Sequence, residues 1–211
     1  RSIATRAGVE RVRLFVALDI PEAVREALSA LTKRFQKMCA EARWVRLAGA
    51  HVTLKFIGEV PAEQVEQIRA ALGQVRAREP IELRFAGLGF FPNARRPRVF
   101  WAGVNTREAR AAASLEATGS VLGRLAADVE KALAPVGIAP EKREFNPHIT
   151  LARFNSAKRL DTLSAAASKL ADSEFGSATA TEFHLYRSVL KPTGAEYTRL
   201  ETYPFSGEQA P

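Results

Sequence analysis

The chain has 211 residues, 46% of them hydrophobic, which is enough for one sizeable core or two small ones. Charged residues at 26%, with 13 Gly and 11 Pro, exclude collagen-like, disordered and coiled-coil chains, and the single Cys39 excludes a disulfide framework. The net charge of +8, with 23 of the 31 basic residues being Arg, favours polyanionic partners.

In chain order, Val12–Ile20 is dense in apolar and β-branched residues and predicts a strand. Pro21 then opens a helix whose apolar face is Val24, Leu28, Leu31 and Phe35. Arg43–Leu47 and His51–Ile57 read as short strands with Gly49 between them, and Pro61 as the start of a second helix carrying Val65, Ile68 and Leu72. Ile81–Phe91 and Arg98–Val104 form a hairpin across the basic turn containing Arg95, Arg96 and Arg98. In the second half, Leu115 to Leu133 marks a long helix ending before Pro135, and Ala-rich 109–113 belongs to the same helical pattern. Phe145–Phe154 is a strand, Leu160–Leu170 a shorter helix, and Thr179–Leu190 and Tyr197–Tyr203 two closing strands around Pro192 and Gly194. Tight turns favour antiparallel pairing and no linker divides the chain. The expected class is α+β: one bilobal domain over 1–211, with 1–10 and 206–211 as loose ends.

The sharpest signal is a repeated tetrapeptide. His51-Val52-Thr53-Leu54 recurs 97 residues later as His148-Ile149-Thr150-Leu151, using two of the three histidines. On a strand, alternate residues share a face, so each copy buries its aliphatic pair and presents one His and one Thr together. Imidazole titrates near neutrality, so one His serves as base while the other serves as acid. Thr hydroxyls donate to non-bridging phosphoryl oxygens, whose charge grows in the transition state. The set suits phosphate chemistry without metal or other cofactor, since neither motif has a carboxylate or Cys at ligand spacing. His184 reads as a structural or surface residue.

With these motifs the chain resembles the 2H phosphoesterase superfamily, and within it the RNA 2′,3′-cyclic phosphodiesterases, also called 2′-5′ RNA ligases. The likeness extends through Arg13–Leu18, Arg43–Val45, His51–Gly58, Gly87–Pro92, Val99–Gly103, Phe145–Arg153, Ser188 and Tyr197. It implies two antiparallel sheets facing a central cleft, helices on the outer faces, and one motif in each lobe. It implies metal-free opening of an RNA terminal 2′,3′-cyclic phosphate to a 2′-phosphomonoester, and a related 2′-5′ ligation with an RNA 5′-hydroxyl in place of water. Thr53 and Thr150 would hold the phosphate. By analogy His51 would protonate the leaving 3′ oxygen and His148 would activate water, although the two motifs are chemically symmetric and their residues alone do not order acid and base.

Arg153 is a candidate phosphate ligand. Strict alternation puts it on the face opposite His148, and a bulge would bring it back. Its counterpart in the first motif is Phe56. Alternation puts Lys55 on the cleft face, to meet RNA or stand solvated. Phe90, Phe91 and Trp44 either stack a base or pack the core, and the arginine turn either tracks phosphates or is solvated. The expected partner is RNA with a 2′,3′-cyclic phosphate end, the expected state a cytoplasmic monomer without membrane attachment. Two rival readings stand beside it: a phosphodiesterase for a small cyclic phosphate of nucleotide or ADP-ribose type, and a non-catalytic RNA-binding module.

Overall fold

The computed structural model describes residues 10–76, 79–106, 120–155, 160–192 and 194–205. Leu115, Ala-rich 109–113 and both expected loose ends except Glu10 lie outside them. The first strand, β1, is Arg11–Asp19. Helix α1, Glu22–Gln36, follows Pro21 and buries Val24, Leu28, Leu31 and Phe35, as its spacing predicts. Strand β2 is shorter than expected, Arg43–Trp44, because the chain turns into a single 3-10 turn at Leu47–Gly49. Strand β3 is longer, His51–Pro61, so Pro61 ends a strand; a 3-10 turn then leads into α2, Val65–Leu72.

Strands β4, Ile81–Phe91, and β5, Val99–Thr106, form the expected hairpin. Helix α3, Val121–Leu133, is capped by Ser120, whose Oγ accepts from Gly123 N at 3.0 Å. Strand β6 is His148–Arg153 and α4 is Asp161–Ser168. Strand β7, Glu174–Ala180, went unread in the sequence because it has no apolar run. Its small residues suit the packing of α1: a Cβ on Gly176 would lie 2.9 Å from Val24. Strands β8, Glu182–Lys191, and β9, Gly194–Pro204, close the chain.

Pairing is antiparallel throughout. One sheet has the order β3-β1-β8-β9 and the other β2-β6-β5-β4-β7. Helices α2 and α3 pack together, with α3 against β3, while α1 packs on β7 and α4 on β4. Their apolar stripes and the inward residues of both sheets form a continuous hydrophobic cluster that includes Leu14, Phe85, Phe100, Ile149 and Leu185. The sheets approach each other along β3 and β6, the two strands that carry the repeated motif. The architecture is therefore the α+β arrangement of two antiparallel sheets expected from the sequence. Among the described residues no helix is long and apolar enough to cross a membrane.

Candidate active site

Register decides which side chains reach the cleft. On β3, Val52 pairs with Leu18 and is buried, while His51 pairs with Asp19 and Thr53 with Ala17 on the opposite face. The register then slips, so that Leu54 is the extra residue and Lys55 pairs with Val16. Both Leu54 and Lys55 consequently lie on the helix side. This corrects the expectation for Lys55: it is 4% exposed, and its Nζ donates to Glu130 of α3 and to Ala139 O, both at 2.8 Å. Phe56, paired with Phe15, returns to the cleft face, where the Arg13 guanidinium lies 4.7 Å from its ring centre.

The second motif repeats this geometry. On β6, His148 pairs with Gly103 and Thr150 with Trp101; the register slips, and Ala152 pairs with the fully buried Phe100. Leu151 is the extra residue, at the position of Leu54. Arg153 then pairs with Val99, which shares the face of Trp101, so the bulge returns Arg153 to the side of His148 and Thr150. The same slip thus follows the Thr of each motif, and it separates the strict alternation of the sequence from the faces actually presented.

Each imidazole is held alike. His51 Nδ1–H donates to Gly49 O at 2.8 Å, and His148 Nδ1–H to Asn146 O at 2.6 Å. A carbonyl only accepts, so the contact fixes the proton on Nδ1 and leaves Nε2 for exchange with a substrate. Aromatic rings restrict both. His51 stacks on Phe15 at 4.4 Å, with Tyr197 edge-on at 5.1 Å, and His148 meets the edge of Phe91 at 5.0 Å. Trp101 lies over Gly89, where any Cβ would come within 2.2 Å of the indole. A cavity of about 310 Å³ adjoins His148 and is lined by Phe91, Trp101, Asn105, Thr106 and Asn146, among others.

Burial lowers the pKa of both histidines, and the backbone carbonyl opposes it in each case. The charges beside them differ. Asp19 raises His51, with a smaller opposing effect from Arg25, whereas Arg153 lowers His148 further. Asp19 is itself held by the Tyr186 hydroxyl at 2.5 Å and by Arg199. His184 is 1% exposed; its Nδ1 lies 3.0 Å from Thr202 Oγ1 and its Nε2 3.6 Å from Asp19. Asp19, Phe15 and Tyr186 were given no role from the sequence. Alternation within Val12–Ile20 would have set Phe15 and Asp19 on the face opposite Val16 and Leu18, but it names no partner for them.

Of the three stacking candidates only Phe91 reaches the cleft. Phe90 stacks on the buried Phe100 at 5.0 Å, and Trp44 meets Phe100 edge-on while its Nε1 donates to Cys39 O at 2.9 Å. Among the described residues, no group of three or more His, Cys, Asp and Glu converges as a metal site would require.

Comparison with known proteins agrees with this arrangement. The family model described as LigT like Phosphoesterase matches residues 18–101 and 115–197, a span that includes both motifs. The RNA 2′,3′-cyclic phosphodiesterase of Methanothermobacter thermautotrophicus is 32% identical over 92% of this chain and 98% of its own length. That of Aeropyrum pernix is 38% identical over 71% of this chain and 78% of its own. A crystal structure of E. coli LigT complexed with 3′-AMP superposes with a TM-score of 0.71 at 27% identity, covering 93% of this chain and 99% of that one. With the doubled motif on two strands of different sheets that meet, β3 and β6, and a family match over most of its length, this chain belongs to the LigT-like phosphoesterases.

Proposed function

We propose that this enzyme opens RNA terminal 2′,3′-cyclic phosphates to 2′-phosphomonoesters by acid–base catalysis between His51 and His148, with no metal. The reading draws its substrate class from relatives that bear that activity in their names. The observation that carries the mechanism is the pair of imidazoles on the two adjoining strands, each fixed through Nδ1 by the carbonyl two residues earlier.

In-line displacement needs a base beside the entering water and an acid beside the leaving 3′ oxygen, on opposite sides of the phosphorus. His148 Nε2 takes the proton from water as its oxygen bonds to phosphorus. His51, protonated, gives its Nε2 proton to the 3′ oxygen as that bond breaks, leaving the phosphate on the 2′ oxygen. The neighbouring charges favour this order: Asp19 stabilises an imidazolium at His51, and Arg153 disfavours one at His148. Thr53 and Thr150 hold the non-bridging oxygens and Arg153 adds charge beside them. An RNA 5′-hydroxyl in place of water yields a 2′-5′ bond in the same site.

The test is hydrolysis of an oligoribonucleotide ending in 2′,3′-cyclic phosphate, with the product checked for a 2′-phosphate. His51→Ala and His148→Ala are each expected to lose about two to four orders of magnitude in turnover. The double variant should lose less than the product of the singles, because the pair acts as a unit. Near-normal hydrolysis by either single variant, with its fold intact, removes that histidine from the mechanism.

A further inference from the structure

Like charges placed directly opposite each other on neighbouring strands repel, and sheets ordinarily avoid them or pair them with the opposite sign. Arg43 of β2 and Arg153 of β6 are direct cross-strand partners, and both are exposed. Neither meets a carboxylate among the described residues, whereas Arg11, Arg69, Arg84 and Arg199 each do. The pair shares the face of His148 and Thr150, through the Leu151 bulge, and Arg153 is close enough to His148 to lower its pKa.

The charge continues outward from this pair. The β4–β5 turn carries exposed Arg95, Arg96 and Arg98. It is an ordered turn: Asn93 Oδ1 accepts from the backbone N–H of Arg95 at 3.0 Å and of Arg96 at 3.1 Å. It is also tied to the end of β6, since Phe154 N donates to Arg98 O at 2.9 Å and Arg98 Nη1 donates to Asn155 O at 3.1 Å. The arginine-bearing turn therefore adjoins the end of β6, where Arg153 and Arg43 lie.

We infer that Arg43 and this turn form the track for the RNA backbone on the 5′ side of the cyclic end. Arg43, one strand out from Arg153 and the reacting phosphate, receives the phosphodiester that joins the terminal nucleoside to its neighbour, and the turn receives those farther upstream. The inference rests on the RNA-end reading above and deepens it. Arg43 stands across from Arg153, three residues beyond Thr150 and so roughly 7–10 Å along a bulged strand from it, which is of the order of one phosphate-to-phosphate step in an extended RNA strand. Guanidinium forks suit phosphate oxygens, and successive phosphates at Arg153 and Arg43 relieve the repulsion between the two. The enzyme then discriminates an RNA end from a lone nucleoside cyclic phosphate by a contact remote from the chemistry.

Binding separates this inference from the catalytic reading. The probe is a 5′-fluorescein pentaribonucleotide ending in 2′-phosphate, followed by anisotropy, with adenosine 2′-monophosphate as the competitor lacking the upstream phosphate. Arg43→Gln and Arg96→Gln, both at exposed positions, are compared with the unmodified protein. For Arg43→Gln the ratio of pentanucleotide to mononucleotide affinity is expected to fall by about fivefold or more, and the slope of log affinity on log salt to lessen by about 0.7. Arg96→Gln should move both quantities in the same direction. An unchanged ratio and slope in both variants overturns the track, as does equal weakening of the two ligands by Arg43→Gln, which would place that side chain at the reacting phosphate. If the unmodified protein fails to hydrolyse the cyclic-ended pentanucleotide while the ratio still falls, the catalytic reading fails and the backbone track stands.

Discussion

The two histidines have the same tautomer and the same backbone anchor, so their difference lies in the charge that each one meets. Removing the Asp19 carboxylate withdraws a stabilising charge from the His51 imidazolium and lowers its pKa. If His51 is the acid, Asp19→Asn should therefore move the alkaline limb of the pH–rate profile to lower pH, because the proton is lost sooner. Removing Arg153 relieves a repulsion and raises the His148 pKa, so Arg153→Gln should move the acidic limb to higher pH. Profiles of kcat/KM for the two variants check both signs; movement of the same limb in both would reject the division of roles. The hydroxyls give a second residue-scale test. Thr53→Val and Thr150→Val keep the β-branched shape and remove one donor each, and should each cost about 3 kcal/mol of transition-state stabilisation, a hundredfold or more in turnover. Thr→Ser should keep most of the rate. Active Val variants with impaired Ser variants would reduce the threonines to strand packing.

At the scale of elements, the decisive device is the bulge after each motif threonine. It turns two consecutive residues to the helix side and lets Phe56 and Arg153 return to the cleft. In the first motif it also brings Lys55 under α3, where its ammonium bridges Glu130 and Ala139 O. Glu130 in turn accepts from Glu141 N at 3.3 Å, so the ion pair links the His51 strand to the segment leading to His148. A buried pair is costly to break from one side, because the remaining charge loses its partner. Lys55→Ala should destabilise the fold by about 3 kcal/mol, measured by urea unfolding. A double change to Lys55→Met and Glu130→Leu should recover much of that loss. Equal losses in the single and double variants would show that the lost ion pair and the unpaired Ala139 carbonyl, not the orphaned carboxylate, set the cost.

Across the whole molecule, the +8 charge is unevenly used. Many arginines are neutralised locally, as Arg84 is by Glu174 at 2.9 Å and Arg69 by Glu66 at 2.9 Å and Glu201 at 3.1 Å. The positive groups around the end of β6 are left facing outward. RNA affinity should accordingly fall as salt rises, through release of counterions from the phosphates. Turnover at saturating RNA should change much less, since the reacting groups act at short range inside the cleft. Titrations at several salt concentrations test this. An affinity that is flat between low and moderate salt would mean that the surface charge is no RNA footprint.

The sequence by itself determined the parts that depend on near neighbours. Helical spacing in Val24–Phe35 and the apolar strand Val12–Ile20 marked their elements, and a His-x-Thr on a strand shares a face whatever lies around it. The α+β class was therefore legible before any contact was known, and so was the shared face of each His–Thr pair, His51 with Thr53 and His148 with Thr150. Tertiary structure decided what depends on distant partners. A bulge arises from the register with another strand, so the burial of Lys55 and the return of Arg153 to the cleft are absent from local alternation. Strand β7 is held by its pairing with β4 and by α1 above it, not by an apolar pattern of its own. The difference between two chemically identical histidines has the same origin. Asp19 reaches His51 across a β1–β3 pair, and Arg153 reaches His148 because a single extra residue turns the strand.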